Sequence, residues 1–187
     1  MKYTRPLLHH FDQIVALQNK NLFSALGQKE RSGGFLYTAF TKEQFQSMDN
    51  SLGIIVALEG DAVCGYLCAT TNDFNQEFPF PAAMIRHCAH LSYKDQDLKS
   101  YPYFIANPLC IDQFYRGTEV FLNLCKAVLA IIPRQYEIAI SLISTENNRS
   151  ISACKKAGAK FIHPFEQDEK KFWIILFDLD ELRKMFG

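Results

Sequence analysis

The stretch Tyr103–Val128, YFIANPLCIDQFYRGTEVFLNLCKAV, decides the fold. An apolar, β-rich run ends at Ile111, and a polar turn, Asp112 to Tyr115, follows. Arg116-Gly117 then opens a segment with apolar residues at Val120, Phe121, Leu124, Cys125 and Val128, the 3.6-residue period of a helix. A strand–turn–helix unit directs free backbone N–H groups, and the positive end of a helix dipole, at one point. Such a point attracts phosphate.

Outward from this unit the chain reads as a mixed α/β protein. Towards the N-terminus, Lys2–Leu7 is expected as a strand and His9–Leu26 as a helix, with Gly27 and Arg31-Ser32-Gly33-Gly34 interrupting it. Thr41-Lys42-Glu43-Gln44 has the form of a capping box that starts a short helix running to about Met48. Gly53–Leu58 and Ala62–Thr70 flank Glu59-Gly60-Asp61 as an antiparallel hairpin. Asn72–Ser100 is irregular, with a short helix expected at Met84–Leu91, and is too long for a passive connection. After the central unit, whose helix stops before Pro133, come a strand at Tyr136–Ile143 and a helix at Glu146–Ala157 closed by Gly158. Two strands, Lys160–Pro164 and Lys171–Asp178, and a short tail complete the chain. The order is β-α-α-β-β-β-α-β-α-β-β, which predicts one domain over residues 1–187 around a central mixed sheet.

Composition narrows the function. Of 187 residues, 48% are hydrophobic and sixteen are Phe, enough for a sizeable core. Twenty basic residues balance twenty acidic ones, so no global field draws the chain to nucleic acid or an anionic membrane. The apolar runs are short for a membrane span, and MKYTRPLLHHFDQ lacks the apolar core of a signal peptide. None of the six cysteines forms a CxxC pair, and most sit in apolar runs; reduced thiols and a cytoplasmic location are expected, without a metal site.

Two motifs carry a family resemblance. Leu109-Cys110-Ile111-Asp112-Gln113-Phe114-Tyr115-Arg116-Gly117 resembles the LxVxPxYRG run of the GNAT N-acetyltransferase superfamily. Thirty residues on, Glu146-Asn147-Asn148-Arg149-Ser150-Ile151-Ser152-Ala153-Cys154-Lys155-Lys156-Ala157-Gly158 resembles its ENxxAIxLYxKxGF helix. The motifs cover about a quarter of the chain, and the element order also matches that fold. The resemblance implies acetyl-CoA as co-substrate and transfer of an acetyl group to an amine of a small molecule or protein in a ternary complex. Leu109, Cys110 and Ile111 would pair with the pantetheine amides. The N–H groups of Arg116, Gly117, Thr118, Glu119, Val120 and Phe121 would hold the pyrophosphate. Asn147 would face the pantetheine arm or cap its helix.

The chain also departs from that pattern. Glu119 and Phe121 stand where the family loop has glycines, which let phosphate approach the backbone. Cys154 replaces a Tyr that protonates the leaving thiolate; it is either a thiol donor or a packing residue. Asn107 stands where some relatives carry a glutamate base; an amide cannot take a proton from an ammonium, but it can hold a water or the substrate. The base is left open among Glu77, His87 and His90. Phe78, Phe80 and Tyr93 are expected to wall the acceptor pocket or to form a satellite core. The final strands, with Phe172, Trp173, Ile174, Ile175 and Phe177, offer a surface for pairing two subunits. A CoA-binding sensor or scaffold without catalysis is the competing reading.

Overall fold

A computed structural model describes residues 1–187. In chain order the elements are β1 (Lys2–Thr4), α1 (His10–Lys20), α2 (Gln28–Arg31), α3 (Lys42–Ser51), β2 (Gly53–Glu59) and β3 (Ala62–Ala69). Then come α4 (Asn72–Gln76), α5 (Pro79–Cys88), β4 (Ser92–Tyr93), β5 (Gln96–Asp97), β6 (Tyr103–Ile105) and β7 (Leu109–Ile111). The chain finishes with α6 (Val120–Ile131), β8 (Ile138–Ser144), α7 (Asn148–Lys156), β9 (Lys160–Gln167), β10 (Lys170–Asp178) and α8 (Leu179–Phe186). No helix is long and apolar enough to cross a membrane.

The strands form two four-stranded sheets, ordered β1-β2-β3-β7 and β6-β8-β10-β9, with β4–β5 as a separate hairpin. Side-chain alternation assigns each face. Ile54, Val56, Leu58, Tyr66 and Cys68 pack under α1 and α3, whereas Ile55, Ala57, Leu67 and Ala69 face the other way, towards α6. In the second sheet Ile138, Ile140, Ile174 and Leu176 meet Met84 and Cys88 of α5, and Ala139, Ile143, Ile175 and Phe177 join the α6 cluster. Both faces are covered, so β2, β8 and β10 read as continuous apolar runs.

The segment expected as one strand up to Ile111 is broken. β6 pairs in parallel with β8 and bridges to Thr70, with reciprocal N–H···O bonds of 2.9 and 3.0 Å between Thr70 and Ile105. β7 pairs antiparallel with β3 and not with β8. Residues 106–108 carry the chain from one sheet to the other, and Pro108, with no N–H to donate, sits at that switch. Its carbonyl accepts from Cys68 N–H at 3.0 Å. The two sheets therefore part beyond residue 105, leaving an opening between β7 and the second half of β8.

Other expectations shift for local reasons. Residues 72–100 contain two helices and a hairpin; α5 starts at Pro79, whose fixed φ suits the first helical turn. The C-terminal tail is α8, capped by Asp178, whose carboxylate accepts from Asp180 and Glu181 N–H at 3.0 and 3.1 Å. Phe172, Ile174, Ile175 and Phe177 are buried within the chain itself, so those side chains are not free to pair two subunits. Trp173 is half-buried against Phe161.

Val120, Leu124 and Val128 form the buried stripe of α6. Leu124 is 0% exposed at its centre. Leu124→Ala is expected to lower stability by about 2–5 kcal/mol, read as a lower urea midpoint at unchanged slope.

Candidate functional site

The opening between β7 and β8 is part of a cavity of about 450 Å³. A second space of about 90 Å³ lies beside the turn before α6 and shares Phe35, Leu36, Leu109, Phe121, Asn147 and Ser150 with the first. The two are one continuous groove, from the start of α6, past β7, to the α4–α5 segment.

Three features define the groove. The first is a strand edge without a strand beside it. In the β3–β7 register, Cys68–Pro108, Tyr66–Cys110 and Cys64–Asp112 are the hydrogen-bonded pairs, so Leu109 and Ile111 point their N–H and C=O groups away from β3, at the opening. The Ile111 carbonyl accepts from Arg116 Nε at 2.8 Å. Leu109 N–H and C=O and Ile111 N–H are left for a ligand, while Cys110 is buried on β3 and presents no backbone group there.

The second is the turn before α6. Gly117 has φ +81°, a conformation that other residues adopt only with strain. Thr118 Oγ1 donates to the Tyr115 carbonyl at 2.6 Å and accepts from Val120 N–H at 3.4 Å. Arg116 N–H donates to the Gln113 carbonyl at 3.4 Å. Arg116 and Val120 thus drop out of the expected row of donors, and Gly117, Thr118, Glu119, Phe121 and Leu122 N–H have no protein acceptor. The Glu119 side chain is exposed and lines neither cavity, so solvent screens its charge. Phe121 lines both.

The Arg116 guanidinium is a clamp rather than a free phosphate ligand. It donates to Ile111 C=O, to Gly33 C=O at 2.7 Å and to Asn21 Oδ1, tying the turn to α1 and to the glycine loop after α2. Burial, first of all, pulls its pKa below the usual guanidinium value, yet it stays protonated at neutral pH. The cation left for an anion is Arg149, exposed on α7 and free of an ion pair. Its Nη2 would lie 3.2 Å from a Cβ added to Gly117. Arg149 was visible inside the second sequence motif, but nothing in its spacing set it apart.

The third is Asn107 at the apex of the opening. In the orientation that satisfies both of its polar atoms, its oxygen accepts from Leu142 N–H at 2.8 Å and its nitrogen donates to Ala106 C=O at 3.1 Å and Ser141 Oγ at 2.9 Å. The carboxamide ties the two strands at the point where they part. Asn147 caps α7, accepting from Ser150 N–H at 3.2 Å and donating to Phe35 C=O at 3.3 Å, while lining both cavities.

Cys154 lines the larger cavity, but burial pushes its thiol up to about 12. Proton transfer from it to a thiolate of ordinary pKa, about 8.5, would run uphill by on the order of 5 kcal/mol. Its geometry is that of a packing residue beside α6. Phe78 and Phe80 line the cavity at its α5 end; Tyr93 does not. Tyr93 belongs to the β4–β5 hairpin, where its hydroxyl donates to Asp178 at 3.2 Å. Glu77, His87 and His90 also lie off the cavity, and His87 stacks on His163 with centroids 4.9 Å apart. The charged residues that do line it are Asp168 and Lys170, exposed in the β9–β10 turn. Sequence reasoning missed Asn75 and Tyr37, which line the same space from α4 and the loop before α3.

His9, His10 and Asp61 gather elsewhere, with Nε2–Oδ separations of 3.0–3.1 Å. Leu7 N–H donates to His10 Nδ1 at 2.9 Å, so the Nε2 of neutral His10 carries the proton and donates to Asp61. The cluster is hydrogen-bonded and presents no free imidazole lone pair from His10. Those bonds, from His10 first and then His9, hold the Asp61 carboxyl below its usual range.

No protein-family model matches the sequence, and no curated protein matches it. Solved structures do match in three dimensions. Ard1 from Thermoplasma volcanium superposes with TM-score 0.64 at 11% identity, over 95% of this chain and 96% of that one. An acetyltransferase of the GNAT family from Streptococcus pneumoniae gives 0.60 at 12%, over 95% and 98%. The fold is that of the GNAT N-acetyltransferases. Naa50 from Arabidopsis thaliana, solved with the bisubstrate analogue CoA-Ac-MVNAL, gives 0.61 at 12%, over 95% and 97%. The opening between β7 and β8 is thus a feature of a GNAT fold that covers nearly the whole chain.

Two outcomes follow from this geometry. Arg116→Ala, which strands Gly33 C=O, Ile111 C=O and Asn21 Oδ1, is expected to lower stability by about 2–4 kcal/mol in chemical unfolding. Cys88, Cys110 and Cys154 are each raised to about 12 by burial. Their folded values lie above the unfolded ones, so their contribution is complete below about pH 8.5 and is lost as pH climbs towards 12. The unfolding free energy read from urea curves should fall between pH 8 and pH 10, by about 2 kcal/mol for each thiol.

Proposed function

We propose that the chain is an acetyl-CoA-dependent N-acetyltransferase that acts on a primary amine in a ternary complex. The observation that carries this reading is the shared groove: the unpartnered edge of β7 and the free N–H groups before α6 border cavities that share a wall, and the larger one extends to residues of α4–α5. A long, amide-bearing coenzyme with a pyrophosphate needs the first two, and an acceptor needs the third. The Naa50 structure with CoA-Ac-MVNAL supports coenzyme and acceptor meeting in such a fold.

Leu109 and Ile111 pair with the pantetheine amides as a strand would. Gly117, Thr118, Glu119, Phe121 and Leu122 N–H hold the pyrophosphate at the positive end of α6, and Arg149 adds a charge. Asn147 shapes the wall beside the arm. The thioester then lies near Asn107, where Leu109 N–H polarises the carbonyl as negative charge develops on its oxygen. The amine nitrogen attacks the carbonyl carbon, the C–S bond breaks, and the proton shed by the amine balances the one gained by the thiolate.

A neutral amine needs no buried base once it has entered. The amine gives its proton to bulk solvent before entry, and Asp168, exposed on the cavity lining, attracts the ammonium form to that point. Rate then comes from holding two reactants in register, which can supply several kcal/mol.

The lack of an imidazole or carboxylate deeper in the cavity favours a second reading, a CoA-binding sensor or scaffold without turnover. Calorimetry with CoA, followed by thiol release from acetyl-CoA over an amine panel, separates the two. Binding with turnover supports the enzyme, binding without turnover supports the sensor, and no binding overturns both. Gly117→Val, which puts a branched side chain at φ +81° against Arg149, should weaken CoA at least about tenfold. Asn107→Ala should leave CoA affinity within about twofold and lower kcat by on the order of tenfold.

A further inference from the structure

The acceptor half of the cavity has a chemistry of its own. One aromatic cluster on the lining is Phe40, Phe74 and Phe78, with centroids 5.2 Å apart for Phe74–Phe78 and 6.3 Å for Phe40–Phe78. A second cluster on the lining is Tyr37, Phe80 and Phe172, with Phe80–Phe172 at 5.1 Å and Tyr37–Phe172 at 5.7 Å. The contacts are edge-on apart from the tilted Phe74–Phe78 pair. Asn75, 6% exposed, lines the same cavity. Its Nδ2 donates to Thr70 Oγ1 and to the Thr71 carbonyl, both at 2.7 Å. That grip fixes the amide and leaves Oδ1 without a protein donor, in a residue that lines the cavity.

An acceptor oxygen without a protein donor is open to an N–H supplied by a ligand. The hydrogen a primary amine offers while its lone pair faces an electrophile is an N–H, which matches that oxygen. The group that carries the amine then lies among the aromatic rings of the lining. No charged side chain lines the interior, Asp168 and Lys170 being exposed at the rim, so a second ammonium on the acceptor would be buried unpaired.

We infer that the acceptor is a primary amine borne on an aromatic or bulky aliphatic group, seated among the two aromatic clusters with its N–H donated to Asn75 Oδ1. This rests on the acetyltransferase reading and adds the substrate class. A free arylalkylamine and a peptide that begins with a large apolar residue share this chemistry.

The test compares phenethylamine, a peptide with N-terminal Phe, the same peptide with N-terminal Gly, and spermidine, each with acetyl-CoA. Phenethylamine or the Phe peptide should exceed both the Gly peptide and spermidine in kcat/KM by at least about tenfold. The better of the two names the source. Asn75→Leu and the double variant Phe78→Ala/Phe80→Ala should each raise the acceptor KM at least about tenfold, with CoA affinity unchanged as proof of a folded coenzyme site. Preference for spermidine or the Gly peptide, or an acceptor KM indifferent to both variants, overturns the inference. If acetyl transfer is absent altogether, calorimetry of phenethylamine on the CoA-loaded protein decides. Binding weakened by Asn75→Leu sustains the pocket while the activity reading fails; no binding, or binding indifferent to that variant, overturns the pocket as well.

Discussion

The structure depends on one place where a strand stops belonging to its sheet. At residues 106–108 the chain leaves its parallel pairing with β8 and resumes, three residues later, as an antiparallel partner of β3. A backbone that runs past the end of its ladder leaves N–H and C=O groups unpaired, and such groups must be solvated or bound. Here they line a gap that the two sheets, each packed against its own helices, cannot close. Asn107 fixes where the gap begins by bonding across it to Leu142. Everything proposed for function uses the empty edge that results.

Arg116 shows how the coenzyme side is held ready. The family resemblance gave its backbone N–H a place in the row of pyrophosphate donors. In the fold its guanidinium is buried among carbonyls from three segments, and it orders the glycine loop at residues 33–34 against the turn before α6. The donors that face the groove are backbone N–H groups, which need no side-chain entropy to align. Arg149 supplies the charge from the neighbouring helix. Placement and charge are thus divided between two arginines, one inside and one outside.

The acceptor side follows a different rule. Its interior is aromatic and uncharged, so it penalises an ammonium and admits a neutral amine with an apolar group. In the proposed reaction such a pocket needs no buried carboxylate at Asn107, because the amine would enter already neutral. The same dryness strengthens the polarisation of a thioester carbonyl by a backbone N–H. Cys154 does not enter this chemistry: in so apolar a setting its thiol is too weak an acid.

Much of this was legible in the chain as a string. The period of Val120, Leu124 and Val128 marked α6, the turn residues before it marked an anion site, and two motifs in order gave the fold class, because helix periodicity and turn chemistry are local properties. The family resemblance implied free edge groups on Leu109, Cys110 and Ile111; Leu109 and Ile111 have them, whereas Cys110 pairs with Tyr66. What the string could not show depends on residues distant in sequence meeting in space. Tyr93 looked like a pocket wall and instead bonds Asp178; Arg116 looked like a ligand and instead clamps Gly33 and Asn21; Phe172 looked like an outer surface and instead faces Phe80. Asn75, in an unremarked NDFNQ segment, became a candidate only when Thr70 and Thr71 fixed its amide on the cavity lining and left one oxygen without a protein donor. Sequence by itself determined the longer helices and strands, α1, α3, α6, α7, β2, β3, β8 and β10, because their periodicity and turn residues are local. Tertiary structure alone decided which side chains share the groove, because that is set by two sheets parting at one proline-marked step.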